Sequence, residues 1–537
     1  MEHETAAELA ALVGAAGSAA VLIARGRIAL ASGMALLALA EAGLAYALVP
    51  PDDLEPLVSS PARIALLVLV GAAVAGLGGV FARFPAAVPV ALLAVAPFRV
   101  PIELGAQEAF LLVPLYAVLA ACVLAVTGRA LAGRDVPAIP WILSVPAALF
   151  VTVSAVSLLW SQDVRAGTIV LLFFLFPFTA LVAAVARSPF AAWLPRALAV
   201  ALVALGLLLA GVGLWQLWSG QLFFARDLEV ANVYTSYFRT TSLFADSSVY
   251  GRHLVLAILV VLAALWLRRV RPVVGLPVIA ALWLGLFFSY SQSSMSALLV
   301  AVLALGLVAA DRVGRRILLA GMVAFALVAA GLVAVTVHDQ SAQRFTSGRS
   351  RLVETSARVF AKHPLAGVGL GAQPRASREE PGGRRAAARN ASHTTALTVA
   401  AELGLVGFAA YLAFLAGGAR LLAAVHRLRP DVGLTLAAAF LALFVHSLLY
   451  SGFFQDPFAW GVLAVGALCL RSEPTRSPAA RPFQDLLGTA SLVRKRWQTR
   501  FSPVPPGSGA RNPCEESSSS SPSASACSSR GSQRPPG

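Results

Sequence analysis

The sequence predicts an all-α protein, a bundle of helices that crosses a membrane many times. Hydrophobic residues make up 58% of the chain and charged residues only 13%, whereas about 25% of an ordinary soluble domain is charged. The mean hydropathy is +0.77. Apolar residues occur in stretches near the roughly 20 residues that a helix needs to cross a hydrocarbon core. Segments such as 317–335 are apolar on every face, unlike the alternating strands of a membrane barrel.

Each apolar stretch of suitable length predicts a span. In chain order these stretches are about 6–24, 28–49, 63–82, 86–97, 109–127, 139–160, 165–187, 197–218, 250–267, 273–288, 293–310, 315–336, 393–418, 431–449 and 457–470. The fourth stretch is short and runs into Pro97 and Pro101, so we expect a re-entrant or tilted piece there. The expected total is therefore about 12 to 15 spans.

Arginine-rich breaks between the spans indicate the orientation of the chain. The breaks at 268–271, 311–316 and 420–429 are separated by pairs of predicted spans, so all three lie on one side. The positive-inside rule assigns that side to the cytoplasm. We therefore expect a multi-pass protein of the inner or plasma membrane with a cytoplasmic C-terminus. The segments expected to face outward are 220–249, 289–293, 337–391 and 450–457.

Composition divides the chain into three parts. Residues 1–218 are predicted N-terminal transmembrane helices, and residues 219–471 carry further spans and the long extracytoplasmic loop 337–391. Beyond residue 471 the chain is rich in Ser, Pro, Gly and Arg, a composition that cannot bury a core. We expect residues 472–537 to form a disordered cytoplasmic tail.

Net charge and cysteine content exclude several classes of partner. The net charge of +16 is explained by arginines at cytoplasmic loops and anionic lipid headgroups, so no nucleic-acid partner is expected. Cys122 and Cys469 lie in apolar helices and Cys514 and Cys527 in the tail, so no pair has the spacing of a metal site or a disulfide framework. We expect no metal and no disulfide.

Positive charge on the long outward loop departs from the positive-inside rule. Its basic residues are Arg344, Arg349, Arg351, Arg358, Lys362, Arg375, Arg378, Arg384, Arg385 and Arg389. Guanidinium groups stay charged and bind phosphate oxygens in pairs, so an arginine cluster above the membrane predicts a phosphorylated lipid ligand. The alternative is a solvated charged loop or an error in the orientation.

Two other outward segments place polar groups at the start of spans. Segment 237–253 contains Arg239, Asp246 and Arg252, and a charge at membrane depth costs a few kcal/mol unless it is paired or snorkels to the interface. Asp246 near a helix N-terminus suits a cap, and Arg252 suits an interfacial anchor better than Arg239 does. The polar run 289–296 lies on the same side, where small hydroxylated residues often only pack helices closely.

The end of the long loop carries a turn-rich segment and a histidine. Segment 363–371 has glycines that permit close approach of the backbone to a ligand. His393 is expected at the outer rim of the membrane, where a histidine can take a proton from a hydroxyl group and act as a general base. The alternative is a histidine that only caps or packs a helix start.

These segments, in this order, resemble the O-antigen ligase and O-antigen polymerase family of bacterial membrane glycosyltransferases. The similar region runs from about residue 239 to 460. The motifs that carry it are Ser347-Gly348-Arg349, the segment 363–369, and Ser392-His393-Thr394-Thr395 with Gly404-Leu405-Val406-Gly407. Two positions depart from the family pattern: Gln292 stands where the family often has Arg, and Thr394 stands where it has Asn.

The resemblance implies an enzyme that moves a glycan from an undecaprenyl-type pyrophosphate to an acceptor hydroxyl on the outer face, without metal or cofactor. It implies that Arg239 and Arg349 grip the pyrophosphate and that His393 deprotonates the acceptor. Residues 219–471 are then the O-antigen ligase-like catalytic region. Weaker candidates for contact with the carrier are Arg252, Arg351 and Arg344.

Several alternatives stay open at this point. The residues do not separate a ligase from a polymerase, which extends the glycan with its own repeat unit. The acceptor is a glycan, a lipid, a wall polymer or a protein, and the oligomeric state is not indicated. A transporter or flippase for lipid-linked sugars predicts charged residues along a path through the spans. The polar residues gather at the outer rim instead, which favours an enzyme over a transporter.

Overall fold

The computed structural model describes residues 2–49, 60–104, 107–235, 237–309, 312–321, 323, 349–381, 394–450 and 452–471. These residues are almost entirely helical and belong to one compact unit, Met1–Pro474. The predicted tail 472–537 lies outside the described residues. The division of the chain at residue 218 stays a prediction.

The N-terminal part is a series of packed helices. They are α1 (Glu2–Ile23), α2 (Arg27–Leu48), α3 (Pro61–Arg83), α4 (Val88–Val95) and α5 (Val113–Leu131). Pro61, Pro89 and Pro114 occupy the first turns of α3, α4 and α5, where a proline removes no helical hydrogen bond. Helices α1 and α2 approach closely because Gly17 has no side chain; a Cβ there would lie 2.8 Å from the backbone nitrogen of Leu37.

A β-hairpin between α4 and α5 departs from the predicted all-α fold. Strand β1 (Val100–Leu104) pairs antiparallel with β2 (Gln107–Leu111). The sequence predicts a span from about residue 109, but these residues are extended and α5 begins only at Val113. The physical reason is that two short strands satisfy each other's backbone groups by pairing, which hydropathy does not detect. The all-α prediction is wrong at this hairpin.

The middle of the chain continues as helices. They are α6 (Trp141–Val156), α7 (Val164–Val170), α8 (Phe176–Ala186), α9 (Leu194–Ser219), α10 (Arg226–Val233), α11 (Ser247–Trp266), α12 (Pro272–Ser289) and α13 (Gln292–Ala309). A 3₁₀ turn, Ser157–Trp160, follows α6. A π-helical turn, Leu171–Leu175, joins α7 to α8, so residues 164–186 form one continuous apolar helix.

The long loop and the C-terminal helices complete the described part. The loop contains α14 (Arg349–Lys362) and α15 (Gln373–Glu379), and the last helices are α16 (Thr395–Leu428), α17 (Pro430–Leu449) and α18 (Pro457–Arg471). Helix α16 is kinked at Gly404, whose φ of 63° and ψ of −163° are not helical. Only glycine adopts such a backbone conformation readily.

The helices are long and apolar enough for a polytopic membrane protein. Within the described residues, 11 helices meet the length and composition of a span, and three apolar helices are shorter, at Pro85–Val95, Gln292–Val308 and Pro457–Arg471. Helix α11 is largely enclosed, with 78% of its apolar window buried, whereas only 11% of that in α3 is buried. Helix α11 is therefore a central helix, and α3 has an apolar surface that suits lipid. The total of about 12 to 15 spans stays a prediction.

Candidate functional site

Several helix ends meet at one end of the bundle. The start of α11 contacts the connection between α17 and α18, and the start of α13 contacts the end of α17. Thr395, the first residue of α16, accepts hydrogen bonds from the backbone N–H groups of Gly452 and Phe453, each at 3.4 Å. Segments that the sequence predicts to face outward thus converge at one place, although they lie far apart along the chain.

A buried ion pair joins α11 to the start of α18. The Nε of Arg252 lies 2.8 Å from Oδ2 of Asp456, and the two side chains are only 7% and 2% exposed. The other carboxylate oxygen of Asp456 accepts the backbone N–H of Phe458 at 3.0 Å, which caps the first turn of α18. Pairing explains how Arg252 lies inside the bundle, since an unpaired buried charge costs several kcal/mol.

Arg99 places a second guanidinium group near this pair. It follows α4 and interacts electrostatically with Arg252, Asp456 and Tyr450. Burial, and after it the neighbouring charge of Arg252, lowers the pKa of Arg99 from its ordinary value. Its Nε has no hydrogen-bond partner among the residues that the structure describes. Arg252 pairs with Asp456, and Arg99 adds a second positive charge nearby, so the local excess of positive charge favours an anion.

Arg239 lies beside the start of α11. Its Nη2 donates a hydrogen bond to Oγ of Ser247 at 2.6 Å. Asn232 in α10 holds its backbone, with Oδ1 accepting the N–H of Arg239 at 3.0 Å and Nδ2 donating to its carbonyl oxygen at 3.1 Å. The Nε of Arg239 is buried and has no partner in the described part of the chain. Arg239 thus keeps a donor available at the same end of the bundle.

Asp246 connects the start of α11 to Tyr450. Its Oδ1 accepts the backbone N–H of Ser248 at 2.6 Å, which confirms the predicted helix cap. Its Oδ2 accepts a hydrogen bond from the hydroxyl group of Tyr450 at 3.0 Å, across 204 residues of chain. Burial, and after it the negative charge of Asp246, raises the pKa of the Tyr450 hydroxyl. Tyr450 therefore stays neutral and keeps its proton for this hydrogen bond.

The serine-rich run at the start of α13 packs helices closely. Oγ of Ser293 lies 3.2 Å from Nε2 of His446 in α17, and Oγ of Ser294 donates to the carbonyl oxygen of Ser248 at 3.3 Å. A Cβ at Gly251 would lie only 2.7 Å from Oγ of Ser294. These contacts support the packing interpretation of the run and place His446 next to the site.

The glycine-rich segment of the loop binds the protein's own backbone. Gly367 and Gly369 have positive φ angles of 69° and 91°. A Cβ at Gly367 would lie 2.2 Å from the carbonyl oxygen of Glu402, and a Cβ at Gly369 would lie 2.2 Å from Cα of Ser161. Close packing against the protein's own backbone therefore explains both glycines, and the close approach of a ligand to this segment stays a prediction.

Hydrogen bonds attach the loop to the kink in α16. The N–H groups of Val368 and Gly369 donate to the carbonyl oxygens of Ala401 and Glu402 at 3.0 and 2.8 Å. On the other side of the kink, the N–H of Leu405 donates to Pro364 at 2.8 Å. The kink at Gly404 opens the helix so that loop backbone replaces the helical partners, which leaves these polar groups satisfied.

A buried carboxylate reinforces this attachment. Glu402 is only 8% exposed, and its carboxylate accepts hydrogen bonds from the backbone N–H groups of Gly371 and Gln373 at the start of α15. The turn after α6 holds the other side, since Oγ of Ser161 donates to the carbonyl oxygen of Leu370 at 3.0 Å. The loop is therefore fixed to two transmembrane elements, and α14 extends from this fixed base.

The structure brings together only part of the predicted site. Arg239 and Arg252 lie at the converging helix ends described above. Arg349 and Arg351 lie in the first turn of α14. Arg344 and His393 lie outside the described residues. No group of three or more His, Cys, Asp or Glu side chains that suits a metal ion occurs within the described ranges.

Four residues of this site were not predicted from the sequence: Arg99, His446, Tyr450 and Asp456. Arg99 had a detectable signal, because a lone arginine between Pro97 and Pro101 interrupts an apolar stretch. Asp456 is likewise an isolated carboxylate beside an apolar span. What no local signal shows is that these two residues and Arg252 share one location.

The comparisons with known proteins concern the segment that contains this loop. Residues 277–412 match a family model described as O-Antigen ligase. The matched segment begins within α12 and ends within α16, so it includes the start of α13, the loop and the kink at Gly404. No curated protein matches the chain. The match confirms the predicted resemblance: over residues 277–412 this helical membrane protein is similar to the O-antigen ligase family.

Proposed function

We propose that the protein is a membrane glycan ligase. It transfers an oligosaccharide or polysaccharide from a polyprenyl-pyrophosphate carrier to an acceptor hydroxyl on the extracytoplasmic face, without a metal ion. Its partners are the lipid-linked glycan donor, a glycan, lipid or wall-polymer acceptor, and the surrounding membrane lipids.

The observation that carries this proposal is the excess of positive charge at the converging helix ends. Three guanidinium groups, those of Arg99, Arg239 and Arg252, lie at this end of the bundle, and two carboxylates, those of Asp246 and Asp456, lie there with them. Asp246 is already engaged by a helix start and by Tyr450. A pyrophosphate supplies negative charge and several acceptor oxygens, which matches the unused donors of the arginines.

The arrangement of arginines at the opposite end supports the orientation. There Nη2 of Arg187 donates to the carbonyl oxygen of Val21 at 2.8 Å, and Arg471 donates to the carbonyl oxygens of Ala186 and Ser188. Arginines also follow α11, at 268–271. The positive-inside rule places such an end in the cytoplasm, so the candidate site faces the outside.

The proposed reaction is a single displacement at the anomeric carbon. The acceptor hydroxyl oxygen forms a bond to that carbon, the bond from the carbon to the pyrophosphate oxygen breaks, and the configuration inverts. His393 takes the hydroxyl proton, and the electron pair of the broken bond leaves with the pyrophosphate. The arginines stabilise the negative charge that develops on the leaving group, because fixed positive charge at that position lowers the free energy of the transition state.

The proposed roles of individual residues follow from position. Arg239 and Arg349 bind the pyrophosphate, and carrier contacts come from the remaining arginines, Arg252, Arg351 and Arg344. Thr395, two residues after His393 along the chain, contacts Gly452 and Phe453 next to the buried ion pair. This contact supports a general base at the rim of the site.

A ligase and a polymerase of the same family share this site and differ in the acceptor. A polymerase uses a second molecule of the lipid-linked glycan as acceptor, so the two reactions give different products. A lipid-linked sugar transporter predicts charges along a path through the spans. Glu402 is an acidic residue within the span α16, as a transporter would require. Its carboxylate, however, accepts hydrogen bonds from the loop backbone at Gly371 and Gln373, and these contacts favour a structural role.

The test is glycan transfer in liposomes that contain a synthetic polyprenyl-pyrophosphate oligosaccharide. Wild type, Arg349→Ala, His393→Ala and Arg239→Ala are compared in the presence of EDTA. We expect wild type to release polyprenyl pyrophosphate and form product despite chelation, and the three variants to lose at least about a hundredfold in rate. Arg375→Ala is the matched control, since Arg375 is an exposed arginine of the same loop without an assigned role.

Each outcome has a defined meaning. Loss of wild-type turnover on chelation contradicts the metal-free mechanism. A longer glycan on the carrier, with no transfer to a separate acceptor, identifies a polymerase. Movement of labelled lipid between leaflets without release of polyprenyl pyrophosphate, across varied donors and acceptors, contradicts the enzyme and supports the transporter.

A further inference from the structure

A large apolar cavity lies between the helices, apart from the candidate site. Its volume is about 840 Å³, and it is walled by α4, α8, α9, α11, α17 and α18. Aliphatic side chains such as Leu92, Leu256, Leu436 and Val462 make up most of its lining. Arg252 and Asp456 are not among its lining residues. The cavity is therefore not explained by the proposed transfer reaction.

The cavity extends along α18 by about the depth of one membrane leaflet. Pro457 and Phe458 line one end and Cys469 lines the other. At a rise of 1.5 Å per residue, the separation of Pro457 and Cys469 corresponds to roughly 18 Å. Half of a typical hydrocarbon core is about 15 Å thick. A hydrocarbon chain that enters at one membrane surface therefore fills the length of the cavity.

The end of the bundle opposite the candidate site, where Arg187, Arg471 and the arginines of 268–271 lie, is called the arginine-rich end. The charged residues that line the cavity all lie at this end. They are Arg196 near the start of α9, Arg269 just after α11, and Asp431 in the first turn of α17. Arg269 pairs with Asp431 at 2.6 Å, and both side chains are well exposed, at 71% and 43%. Arg196 makes no salt bridge within the described residues. The lining at this end of the cavity thus has two arginines and one aspartate, a net positive charge.

The other end of the cavity, lined by Pro457 and Phe458, lies next to the candidate site. The ring of Phe458 packs edge-on against His253, with ring centroids 4.9 Å apart. Phe458, which lines the cavity, therefore contacts the residue next to Arg252 in α11, whereas Arg252 itself does not line the cavity. A ligand whose anionic group lies beside Arg196 and Arg269 has that group at the end opposite the candidate site, which distinguishes it from the proposed glycan donor.

We propose that this cavity is a binding site for an anionic phospholipid of the leaflet at the arginine-rich end. An acyl chain lies along α18, and the phosphate group lies between Arg196 and Arg269. Basic pockets between transmembrane helices bind anionic headgroups in this way, because the arginine charge adds to the burial of the chain. The site does not depend on the transferase reaction.

The experiment measures lipid binding to the full-length protein in a neutral maltoside detergent. Dioleoyl phosphatidylglycerol, dioleoyl phosphatidylcholine and undecaprenyl phosphate are titrated separately, and affinity is read from thermal stabilisation and from bound lipid in native mass spectrometry. We expect one phosphatidylglycerol to bind more tightly than either of the other lipids. Arg196→Gln should weaken its binding roughly fivefold, the contribution of about one arginine near an anionic surface.

Gly461→Phe tests the location of the chain. Gly461 lines the cavity, and a Cβ built there meets no atom within 4 Å, so a larger side chain has room inside the cavity. We expect this variant to fold, to be at least as heat-stable as lipid-free wild type, and to lose bound phosphatidylglycerol. The matched control is Arg271→Gln, an exposed arginine at the same end that does not line the cavity, and it should bind as wild type does.

Three results would overturn the proposal. Equal binding of phosphatidylglycerol and phosphatidylcholine would show that the arginines do not select an anionic headgroup. Unchanged binding by a folded Gly461→Phe variant places the lipid elsewhere. Tighter binding of undecaprenyl phosphate, lost in Gly461→Phe, assigns the cavity to an isoprenoid carrier instead. None of these results affects the transfer assay, so the two proposals fail independently.

Discussion

Replacing Asp456 by asparagine removes the carboxylate that neutralises Arg252. The two side chains are 7% and 2% exposed, so the guanidinium group of Arg252 cannot reach water without a rearrangement of α11 and α18. Arg99 adds further positive charge beside it. Breaking a buried pair by removing one partner destabilises proteins by about 3–5 kcal/mol, and we expect Asp456→Asn to lie in this range.

The double variant Arg252→Gln with Asp456→Asn separates stability from function. The double variant removes the unpaired charge of Arg252 and leaves only that of Arg99 at this place, so we expect the free energy of unfolding to recover to within about 1–2 kcal/mol of wild type. Glycan transfer should not recover, because Arg252 is a proposed contact of the carrier. The double-mutant cycle measures the coupling between the two residues directly.

The assay is unfolding in mixed detergent micelles, followed by tryptophan fluorescence, with glycan transfer measured on the same preparations. Glu354→Gln is the matched control, because it breaks the exposed pair of Glu354 with Arg358, whose side chains are 58% and 40% exposed. Such pairs contribute about 0–1 kcal/mol. The reasoning is refuted if Asp456→Asn loses no more stability than Glu354→Gln, or if the double variant is as unstable as the single one.

Three further predictions concern the loop and Tyr450. Gly369→Ala places a Cβ against Ser161 at a φ of 91° and should release the loop, which faster proteolysis of residues 349–381 would detect. Gly71→Ala is the control, because a Cβ there meets no neighbouring atom and proteolysis of the loop should not change. Glu402→Gln should cost about 1–3 kcal/mol and speed hydrogen exchange at Gln373, since one of two backbone donors loses its acceptor; unchanged exchange contradicts the contact. Tyr450→Phe should cost about 0.5–1.5 kcal/mol near neutral pH. The pKa of Tyr450 is raised in the folded protein, so the stability that its neutral form provides is present below about pH 10 and is lost as the pH rises above that value. The free energy of unfolding of Tyr450→Phe should therefore decrease less steeply with alkaline pH than that of wild type.

Much of the fold could be predicted from local features of the sequence. Bilayer thickness sets the length of a span, so apolar stretches such as 250–267 and 431–449 indicate helices to within a few residues of α11 and α17. The hairpin at residues 100–111 could not be predicted in this way, because strand pairing depends on two segments meeting and hydropathy reports each one alone.

The candidate site was predicted only in part. Arg239 and Arg252 were detectable because a charge at the start of a span needs a partner or a surface. Their partners were not identified, since Asp456 is far from Arg252 along the chain and no local feature of the sequence shows that the two residues meet. The glycines at 367 and 369 were recognised as a site of close approach, but their neighbour is the protein's own backbone.

The sequence by itself determined that this is a helical membrane protein and that it resembles O-antigen ligases, a resemblance confirmed over residues 277–412. These properties depend only on the composition of the chain and on the order of its residues, because span length and family similarity are both features of the sequence. Only the tertiary structure decided that Arg99, Arg252 and Asp456 share one buried location and that the loop is fixed to the kink at Gly404. Burial makes a charge costly without a partner, and helix packing alone determines which distant residue becomes that partner.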